Sequence, residues 1–318
     1  MVTAPPLRIV YFGTPEFAVP PLRALMDSTH RVVTIVSQPD RARGRGQHVL
    51  PTPTRQLAGA RGVPVLQPLK LKDESFLQAL RDLHPDLGVV AAYGRILPDL
   101  LLEVPRLGLI NVHASLLPAY RGAAPVHRAV MAGERETGVS IMRIVRELDA
   151  GPVFATARLA IDDEATSVEV QEQLSELGAP LLIDVVDHIA AGRAVEVPQD
   201  HSRATYAPKI TREEGAIDWS LSAVAVHNLV RGLQPWPMVS IRIDGTRCVL
   251  HRARVSAERT SAPPGTIVEG SGGRLAIATG NGGVVDVLSI QPEGRRVMAA
   301  PEFLAGHRIR AGTRVTAP

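Results

Sequence analysis

Strand-like segments alternate with helix-like segments through the first 192 residues, and this alternation constrains the fold more than any other feature. The strand-like segments are short β-branched and aliphatic runs at 7–12, 31–37, 63–66, 87–93, 109–113, 137–145 and 153–161. The helix-like segments have apolar residues on one face and lie at 16–26, 74–83, 125–132 and 166–192. This order predicts an α/β fold with a Rossmann-like, mostly parallel sheet covered by helices on both faces.

The pattern changes after residue 192. Residues 193–208 are polar and aperiodic, which predicts a linker, and a helix is predicted at 223–232. Short strands separated by glycine-rich turns follow at 239–243, 248–254, 265–269, 275–278, 284–290 and 308–309. Strands of this length and spacing predict a small OB-like β-barrel. We therefore predict one domain at 1–192, a linker at 193–208 and a second domain at 209–318.

The first turn of the chain argues against a dinucleotide cofactor. Gly13-Thr14-Pro15 follows the first strand and precedes a helix, as phosphate-binding loops do. The G-x-G-x-x-G fingerprint is absent, however. Gly13 is interpreted either as a tight turn or as a close backbone approach to a ligand, and both readings stay open.

The cysteine and histidine content argues against metal sites and disulfides. Cys248 is the single cysteine, so neither an internal disulfide nor a thiolate zinc site is predicted. The ten histidines show no paired ligand spacing, so we expect no metal. No apolar run reaches the roughly 20 residues that span a bilayer, and the N-terminus lacks a signal-peptide pattern. These features predict a cytoplasmic protein without a membrane partner.

Positive charge is concentrated in the last third of the chain and in one early loop. Residues 209–318 carry 14 Lys and Arg against 9 Asp and Glu, whereas residues 1–208 carry 21 against 23. The loop at 38–48 contains Arg41, Arg43 and Arg45 without an apolar anchor, which predicts an exposed segment. Such a surface is either simply solvated or binds a polyanion. Because the loop follows a strand, contact with phosphates is favoured.

Three polar residues form the candidate catalytic set. Asn111 and His113 are two residues apart on a predicted strand, so their side chains point the same way near its carboxyl end. Asp149 lies in a turn that ends in glycine and proline. The simple structural interpretation is that the amide and imidazole satisfy each other or the backbone, and that Asp149 forms the turn. The functional interpretation is an oxyanion site in which a carboxylate orients and charges a histidine.

These residues also carry a family resemblance. Asn111–Pro118, Tyr120–Pro125 and Leu148–Gly151 resemble the formyltransferases that use 10-formyltetrahydrofolate. The similarity extends to further short stretches, which are 12–18, 38–41, 206–210, 217–219 and 235–237. It therefore covers nearly the whole chain. The complete set is similar to bacterial members of the family whose acceptor is initiator methionyl-tRNA.

The resemblance implies a role for each matching residue. It implies catalytic roles for Asn111, His113 and Asp149. It implies folate binding by Ser115, Leu116, Leu117 and Pro118. It implies tRNA binding by Arg45 and Lys209, and the arginine-rich loop adds Arg41 and Arg43 to the predicted tRNA-binding residues. The implied partners are 10-formyltetrahydrofolate and initiator methionyl-tRNA, the 209–318 region binds tRNA, and a monomer is expected.

The catalytic set identifies the reaction better than the acceptor. Asn111, His113 and Asp149 match glycinamide-ribonucleotide formyltransferases, sugar-nucleotide formyltransferases and formyltetrahydrofolate hydrolases equally well. The arginine loop and the stretch at 206–209 favour a tRNA acceptor over a sugar nucleotide or water. A non-enzymatic RNA-binding protein explains the charge distribution but not the catalytic set. Every enzymatic interpretation requires the Asp149 side chain to lie near the His113 ring.

Overall fold

The computed structural model describes residues 5–43 and 48–317, with side chains throughout except at 42–49. The strands are β1 (Arg8–Gly13), β2 (Arg31–Val36), β3 (Arg41–Arg43), β4 (His48–Leu50), β5 (Val65–Leu66), β6 (Leu87–Ala91), β7 (Leu109–His113), β8 (Arg121–Gly122), β9 (Glu136–Arg143), β10 (Val153–Ala160), β11 (Tyr206–Ala207), β12 (Val239–Ile243), β13 (Thr246–Val255), β14 (Ile267–Ser271), β15 (Arg274–Ala278), β16 (Val284–Pro292) and β17 (Met298–Ala299). The helices are α1 (Val19–Asp27), α2 (Pro53–Arg61), α3 (Glu74–Asp82), α4 (Asp99–Leu102), α5 (Pro125–Ala132), α6 (Ser167–Ala190), α7 (Ala223–Gly232) and α8 (Ala300–Gly306).

A seven-stranded sheet forms the framework of the first part of the chain. Its strand order is β10-β9-β7-β6-β1-β2-β5. The five strands from β7 to β5 run parallel, whereas β9 is antiparallel to β7. The parallel strands are apolar because helices cover such sheets on both faces, and every residue of β6 is buried. The predicted mostly parallel sheet is confirmed.

The helix ends follow the local sequence signals. Asp73 caps α3 by accepting the Ser75 N–H at 3.3 Å. At the start of α6, Thr166 N–H donates to Glu169 Oε2 at 2.7 Å, and Glu169 N–H donates to Thr166 Oγ1 at 3.3 Å. This reciprocal pair is the predicted capping box. The capped helices, α3 and α6, both lie where the sequence predicts them.

The arginine loop and the segment after it contain more regular structure than predicted. β3 and β4 pair antiparallel, with Arg41 opposite Leu50, so the predicted loop at 38–48 contains strand at 41–43 and again at its last residue, His48. α2 follows, capped by Thr52, whose side chain accepts the Arg55 N–H. This helix was not predicted because its buried face consists only of Thr54 and Ala58, which give almost no apolar period.

The second part of the chain contains the antiparallel β-sheet. Its order is β12-β13-β16-β15-β14, and β17 pairs with β16. Residues near the C-terminus bridge both ends of this sheet, since Thr316 pairs with Arg242 of β12 and Arg314 pairs with Thr266 beside β14. The sheet therefore closes, and the predicted barrel-like domain is confirmed. The predicted strand at 308–309 is wrong. Residues 307–310 follow α8 without regular structure, and the pairs that close the sheet lie at Arg314 and Thr316.

The chain divides into two compact units, and each is discontinuous in sequence. One comprises Met1–Ala123, Thr137–Leu159 and Gln171–Ala207, and the other comprises Ala124–Glu136, Ala160–Val170 and Pro208–Pro318. Within the second unit, Arg231 Nη1 donates to the carbonyls of Asp162 at 3.3 Å and Ala165 at 3.0 Å. Buried side chains thus join segments that are far apart in sequence. The assignment of separate functions to 1–192, 193–208 and 209–318 stays a prediction.

No helix within the described ranges is both long enough and apolar enough to cross a membrane.

Candidate active site

β7 carries the first two candidate residues at its carboxyl end. In the register of the sheet, Asn111 lies opposite Val90 on one side and Met142 on the other. His113 is 5% exposed, whereas Asn111 is partly exposed. Among the residues that the structure describes, no hydrogen bond reaches the Asn111 side-chain amide. The Asn111 amide is therefore available to a ligand, which the simple structural interpretation does not explain.

The hydrogen bond that His113 makes determines which of its ring nitrogens carries the proton in the neutral ring. Its Nε2 lies 3.1 Å from the Tyr120 carbonyl oxygen. Because a carbonyl only accepts, Nε2 must carry the proton and donate it. In the neutral ring, Nδ1 is then the basic nitrogen. The Tyr120 carbonyl is thus the group that orients the His113 ring, and the sequence did not reveal it.

Asp149 meets the remaining ring nitrogen of His113. Its Oδ2 lies 3.8 Å from His113 Nδ1, and the Asp149 side chain is 14% exposed. The same oxygen accepts the Gly122 N–H at 2.8 Å. Asp149 has a positive φ of 48°, a conformation that costs energy in residues other than glycine. The structure therefore brings Asp149 to His113 from a separate loop, as the catalytic interpretation requires.

The predicted folate-binding residues form the loop that directly follows β7. Ser115 Oγ donates to the Ala119 carbonyl at 2.7 Å, and a cis peptide joins Leu117 to Pro118. Ser140 of β9 fixes this loop from the neighbouring strand, since its Oγ donates to the Ser115 carbonyl at 2.7 Å and accepts the Leu117 N–H at 3.1 Å. The loop is thus held rigidly against the sheet beside His113.

Gly138 lets this loop approach the sheet closely. A Cβ at Gly138 would lie 2.4 Å from Leu116 Cδ2 and 2.3 Å from the Ala157 carbonyl oxygen. Neither position leaves room for a side chain. Leu116 therefore packs directly on the backbone of β9.

Together these groups can stabilise negative charge and move a proton. The Asn111 amide can donate to a developing oxyanion, and His113 Nδ1 can take up or release a proton beside the Asp149 carboxylate. An amide donor, an imidazole and a carboxylate are the components of acyl transfer.

The basic residues predicted to bind tRNA are described only in part. Arg41 is exposed, and its Nη2 lies 3.5 Å from Gln38 Oε1. Arg45 and the side chain of Arg43 lie outside the described residues. Lys209 is exposed, and Arg128 Nη2 donates to its carbonyl at 3.2 Å. Arg41 belongs to one compact unit and Lys209 to the other.

The base of the β3–β4 hairpin is anchored by one carboxylate. Asp40 Oδ1 accepts the Thr52 N–H at 3.2 Å and the Gln67 Nε2–H at 2.8 Å, and Asp40 also forms an ion pair with Arg55. The Asp40 side chain is 13% exposed, so these bonds are largely shielded from solvent. These bonds therefore hold in place the residue that directly precedes β3, the strand that contains Arg41.

Arg128 also forms an ion pair that the sequence did not indicate. Its Nη1 and Nη2 lie 2.5 and 3.0 Å from the two carboxylate oxygens of Glu214. This bidentate pair lowers the pKa of Glu214 below its ordinary value. Because Arg128 also bonds the carbonyls of Pro208 and Lys209, the pair holds the backbone of Lys209 in place.

We expect Arg128→Met to destabilise the protein at neutral pH by about 1 kcal/mol, or about 2–4 °C in Tm. The Glu214 pKa is depressed in the folded state, so the pair stabilises fully above about pH 4.5, the carboxyl's ordinary value, and this contribution is lost as the pH falls below it. Thermal melts between pH 7 and pH 3.5 should show that the difference in Tm between Arg128→Met and wild type becomes smaller as the pH falls. Arg310→Met, at an exposed arginine of the same unit, serves as the control. A constant difference at every pH would contradict the assignment.

Among the described residues, no group of three or more histidine, cysteine, aspartate and glutamate side chains could hold a metal ion.

Comparison with known proteins identifies the family. A family model described as formyl transferase matches residues 7–186, and a model of the formyl transferase C-terminal domain matches residues 209–308. The chain belongs to the formyl transferase family. A methionyl-tRNA formyltransferase of Moorella thermoacetica is 44% identical over 306 residues, which cover 96% of this chain and 98% of that protein.

Two solved structures have a fold similar to that of this chain. An N-formyltransferase from Helicobacter canadensis, in complex with folinic acid and dTDP-3-aminofucose, has a TM-score of 0.69 at 17% identity. The match covers 90% of this chain and 99% of that one. HypX from Aquifex aeolicus, in complex with tetrahydrofolic acid, has a TM-score of 0.62 at 18% identity over 94% of this chain. This chain spans about half of HypX, since 47% of the HypX chain is covered.

Proposed function

We propose that this formyltransferase transfers the formyl group of 10-formyltetrahydrofolate to the amino group of initiator methionyl-tRNA. The observation that carries the proposal is the approach of His113 Nδ1 and Asp149 Oδ2 to 3.8 Å. On the same strand as His113, the Asn111 amide makes no hydrogen bond to any described residue. The 44% identity to a methionyl-tRNA formyltransferase over nearly the full length of both chains supports the acceptor.

The loop after β7 would hold the folate donor. Ser115, Leu116, Leu117 and Pro118 lie next to His113, and Ser140 fixes their backbone. This arrangement would place the formyl group near the end of β7, where Asn111 and His113 present their side chains. A fixed loop keeps the reacting atoms aligned, which is a major source of rate enhancement in bimolecular reactions.

The reaction needs one oxyanion donor and one proton path. The acceptor nitrogen bonds to the formyl carbon, the formyl oxygen gains negative charge, and Asn111 donates to that oxygen. His113 Nδ1, with Asp149 beside it, removes the proton that the amine releases. The formyl carbonyl re-forms as the bond from the formyl carbon to the folate nitrogen breaks, and that nitrogen takes the proton that His113 removed from the amine. Protons balance, because one leaves the amine and one reaches the folate nitrogen.

A tRNA acceptor accounts for the basic surfaces. The predicted loop at 38–48 contains Arg41, Arg43 and Arg45, and the 209–318 region has five more basic than acidic residues. Small OB-like barrels bind nucleic acids, and arginine forks bind phosphates. A protein that formylates initiator tRNA would act in translation initiation in the cytoplasm, and we propose that it does so as a monomer.

One assay tests the acceptor. Purified protein and 10-formyltetrahydrofolate are incubated with methionyl-tRNA, with a nucleotide-linked amino sugar or without any acceptor. We expect formylmethionyl-tRNA as the main product. Formylation of the amino sugar instead would favour a sugar-nucleotide formyltransferase. Release of formate without an acceptor would favour a hydrolase, and tRNA binding without any turnover would favour an RNA-binding protein.

We expect tRNA affinity to fall steeply with salt concentration. A plot of the logarithm of the binding constant against the logarithm of the salt concentration has a negative slope, and each arginine that neutralises a phosphate makes it steeper by about 1. Arg41→Gln, Arg43→Gln and Arg45→Gln should therefore each make the slope shallower by about 1. Binding measured between low and moderate salt reports the slope. Arg81→Gln, on the exposed side of α3, is the control. Unchanged slopes in all three variants would exclude these arginines from phosphate contact.

A further inference from the structure

The segment at 199–207, predicted as part of a linker, is hydrogen-bonded to the candidate active site. β11 pairs in parallel with β8, so Tyr206 lies opposite Arg121. Thr205 Oγ1 accepts the Tyr120 N–H at 2.8 Å, and the Thr205 carbonyl accepts the Arg121 N–H at 2.9 Å. The carbonyl of Tyr120 orients His113, and the N–H of Gly122 binds Asp149. The segment therefore supports residues 120–122, which contact His113 and Asp149.

Gln199 connects this segment to the Asp149 turn. Its Oε1 accepts from Arg121 Nε at 3.1 Å and Nη2 at 2.8 Å. Its Nε2 donates to the carbonyls of Asp149 at 2.9 Å and Gly151 at 2.7 Å. Gln199 is 8% exposed, and both of its amide hydrogens are used. A buried amide in this position stabilises one arrangement of its neighbours, because any unpaired donor would cost free energy.

Arg121 fixes the orientation of the Gln199 amide. It is 8% exposed, and its two N–H groups determine that the oxygen of Gln199, rather than its nitrogen, faces the guanidinium. The other polar neighbours of this guanidinium are His201, whose Nδ1 is 3.4 Å from Nη2, and Glu147, whose Oε1 is 4.0 Å from Nη1. The Gln199 nitrogen is thereby directed at the turn.

The Asp149 turn needs such a clamp. Asp149 has a φ of 48°, a left-handed conformation that aspartate and asparagine tolerate as single residues but do not prefer, so further bonds are needed to hold the turn in it. Gln199 bonds the carbonyls on both sides of Ala150. These two bonds restrict rotation of the backbone that aims the Asp149 carboxylate at His113 Nδ1.

We propose that Gln199, oriented by Arg121, is a positioning residue for the formyl-transfer reaction. It holds the Asp149 turn so that the carboxylate faces His113 Nδ1. The inference rests on the function proposed for this site, because it concerns the same carboxylate and imidazole. Gln199 itself has no assigned contact with the substrates.

Two substitutions test the role of the Gln199 amide. Gln199→Glu keeps an oxygen that can accept from Arg121 but replaces the donor to the Asp149 and Gly151 carbonyls with a second acceptor. Gln199→Met has a similar volume and removes both the acceptor and the donor. We expect kcat to fall about 10- to 100-fold, because small misplacements of catalytic groups have effects of this size. The KM values for both substrates should change little, and the pH profile of kcat should shift, because the Asp149–His113 pair is misaligned. Ser202→Ala, whose hydroxyl bonds Asp200 in the same segment, should match wild type.

A spectroscopic readout separates this inference from the proposed acceptor. The ¹⁵N signals of the His113 ring, assigned with a His113→Asn variant, should change their pH dependence in the Gln199 variants but not in Ser202→Ala. If Gln199→Met does not fold, Arg121→Lys keeps the charge but loses the fork and should give the same shift. Wild-type kcat, pH profile and His113 signals in the variants would overturn the inference. A wild-type protein that does not formylate methionyl-tRNA would overturn the acceptor alone, and the His113 signals would still decide the role of Gln199.

Discussion

Replacing Asn111 with alanine should lower kcat for formyl transfer by about 10²–10³-fold, the usual cost of losing one oxyanion donor. The amide makes no hydrogen bond within the described residues, so its removal breaks no bond of the fold seen there. The donor matters most when charge develops on the formyl oxygen, so kcat and kcat/KM should fall together. Steady-state kinetics with 10-formyltetrahydrofolate and methionyl-tRNA measure both.

Two further variants separate hydrogen bonding from packing at this position. Asn111→Asp has nearly the same shape but offers an acceptor to the oxyanion, so it should be at least as inactive as Asn111→Ala. Gln78→Ala removes an exposed amide of α3 that bonds Asp82, and it should keep wild-type activity. If Asn111→Ala retains activity within a few-fold of wild type, the amide does not donate to the oxyanion and the proposed mechanism loses that step.

Features that depend only on residues close in sequence were predicted correctly. The two-residue spacing of Asn111 and His113 required only a strand, and β7 supplies it. The capping box at Thr166 and Glu169 is a local bond, so it could be located from the sequence. The approach of Asp149 to His113 followed from the family resemblance, because residues 36 positions apart have no local coupling.

Features that depend on distant contacts were not predicted. Gln199 lies in a polar, aperiodic stretch, and its role arises only because Arg121 and the Asp149 turn meet it in space. The Tyr120 carbonyl is a backbone group, so no residue type marks it. The pair of Arg128 and Glu214 joins residues 86 positions apart. In each case the partner comes from a distant part of the sequence, so no local pattern of residues predicts the contact.

Replacing Asp149 with asparagine should lower kcat by an amount similar to Asn111→Ala, about 10²–10³-fold, with the fold intact. Asparagine tolerates the positive φ of 48° at this position, and its side-chain oxygen can still accept the Gly122 N–H. The change therefore removes the negative charge beside His113 Nδ1 and little else. Activity and Tm measured together check this expectation.

The carboxylate, rather than the geometry of the turn, is what this substitution tests. Asp200→Asn changes an exposed carboxylate that caps a short turn and should leave kcat unchanged. Asp149→Asn should keep the Tm and the backbone amide signals of the turn at 149–151, whereas Gln199→Met, which removes the bonds to the Asp149 and Gly151 carbonyls, should change those backbone signals. A loss of activity in Asp149→Asn without loss of the turn therefore assigns the effect to charge. Near wild-type turnover would show that the amine proton leaves by a route that does not need Asp149.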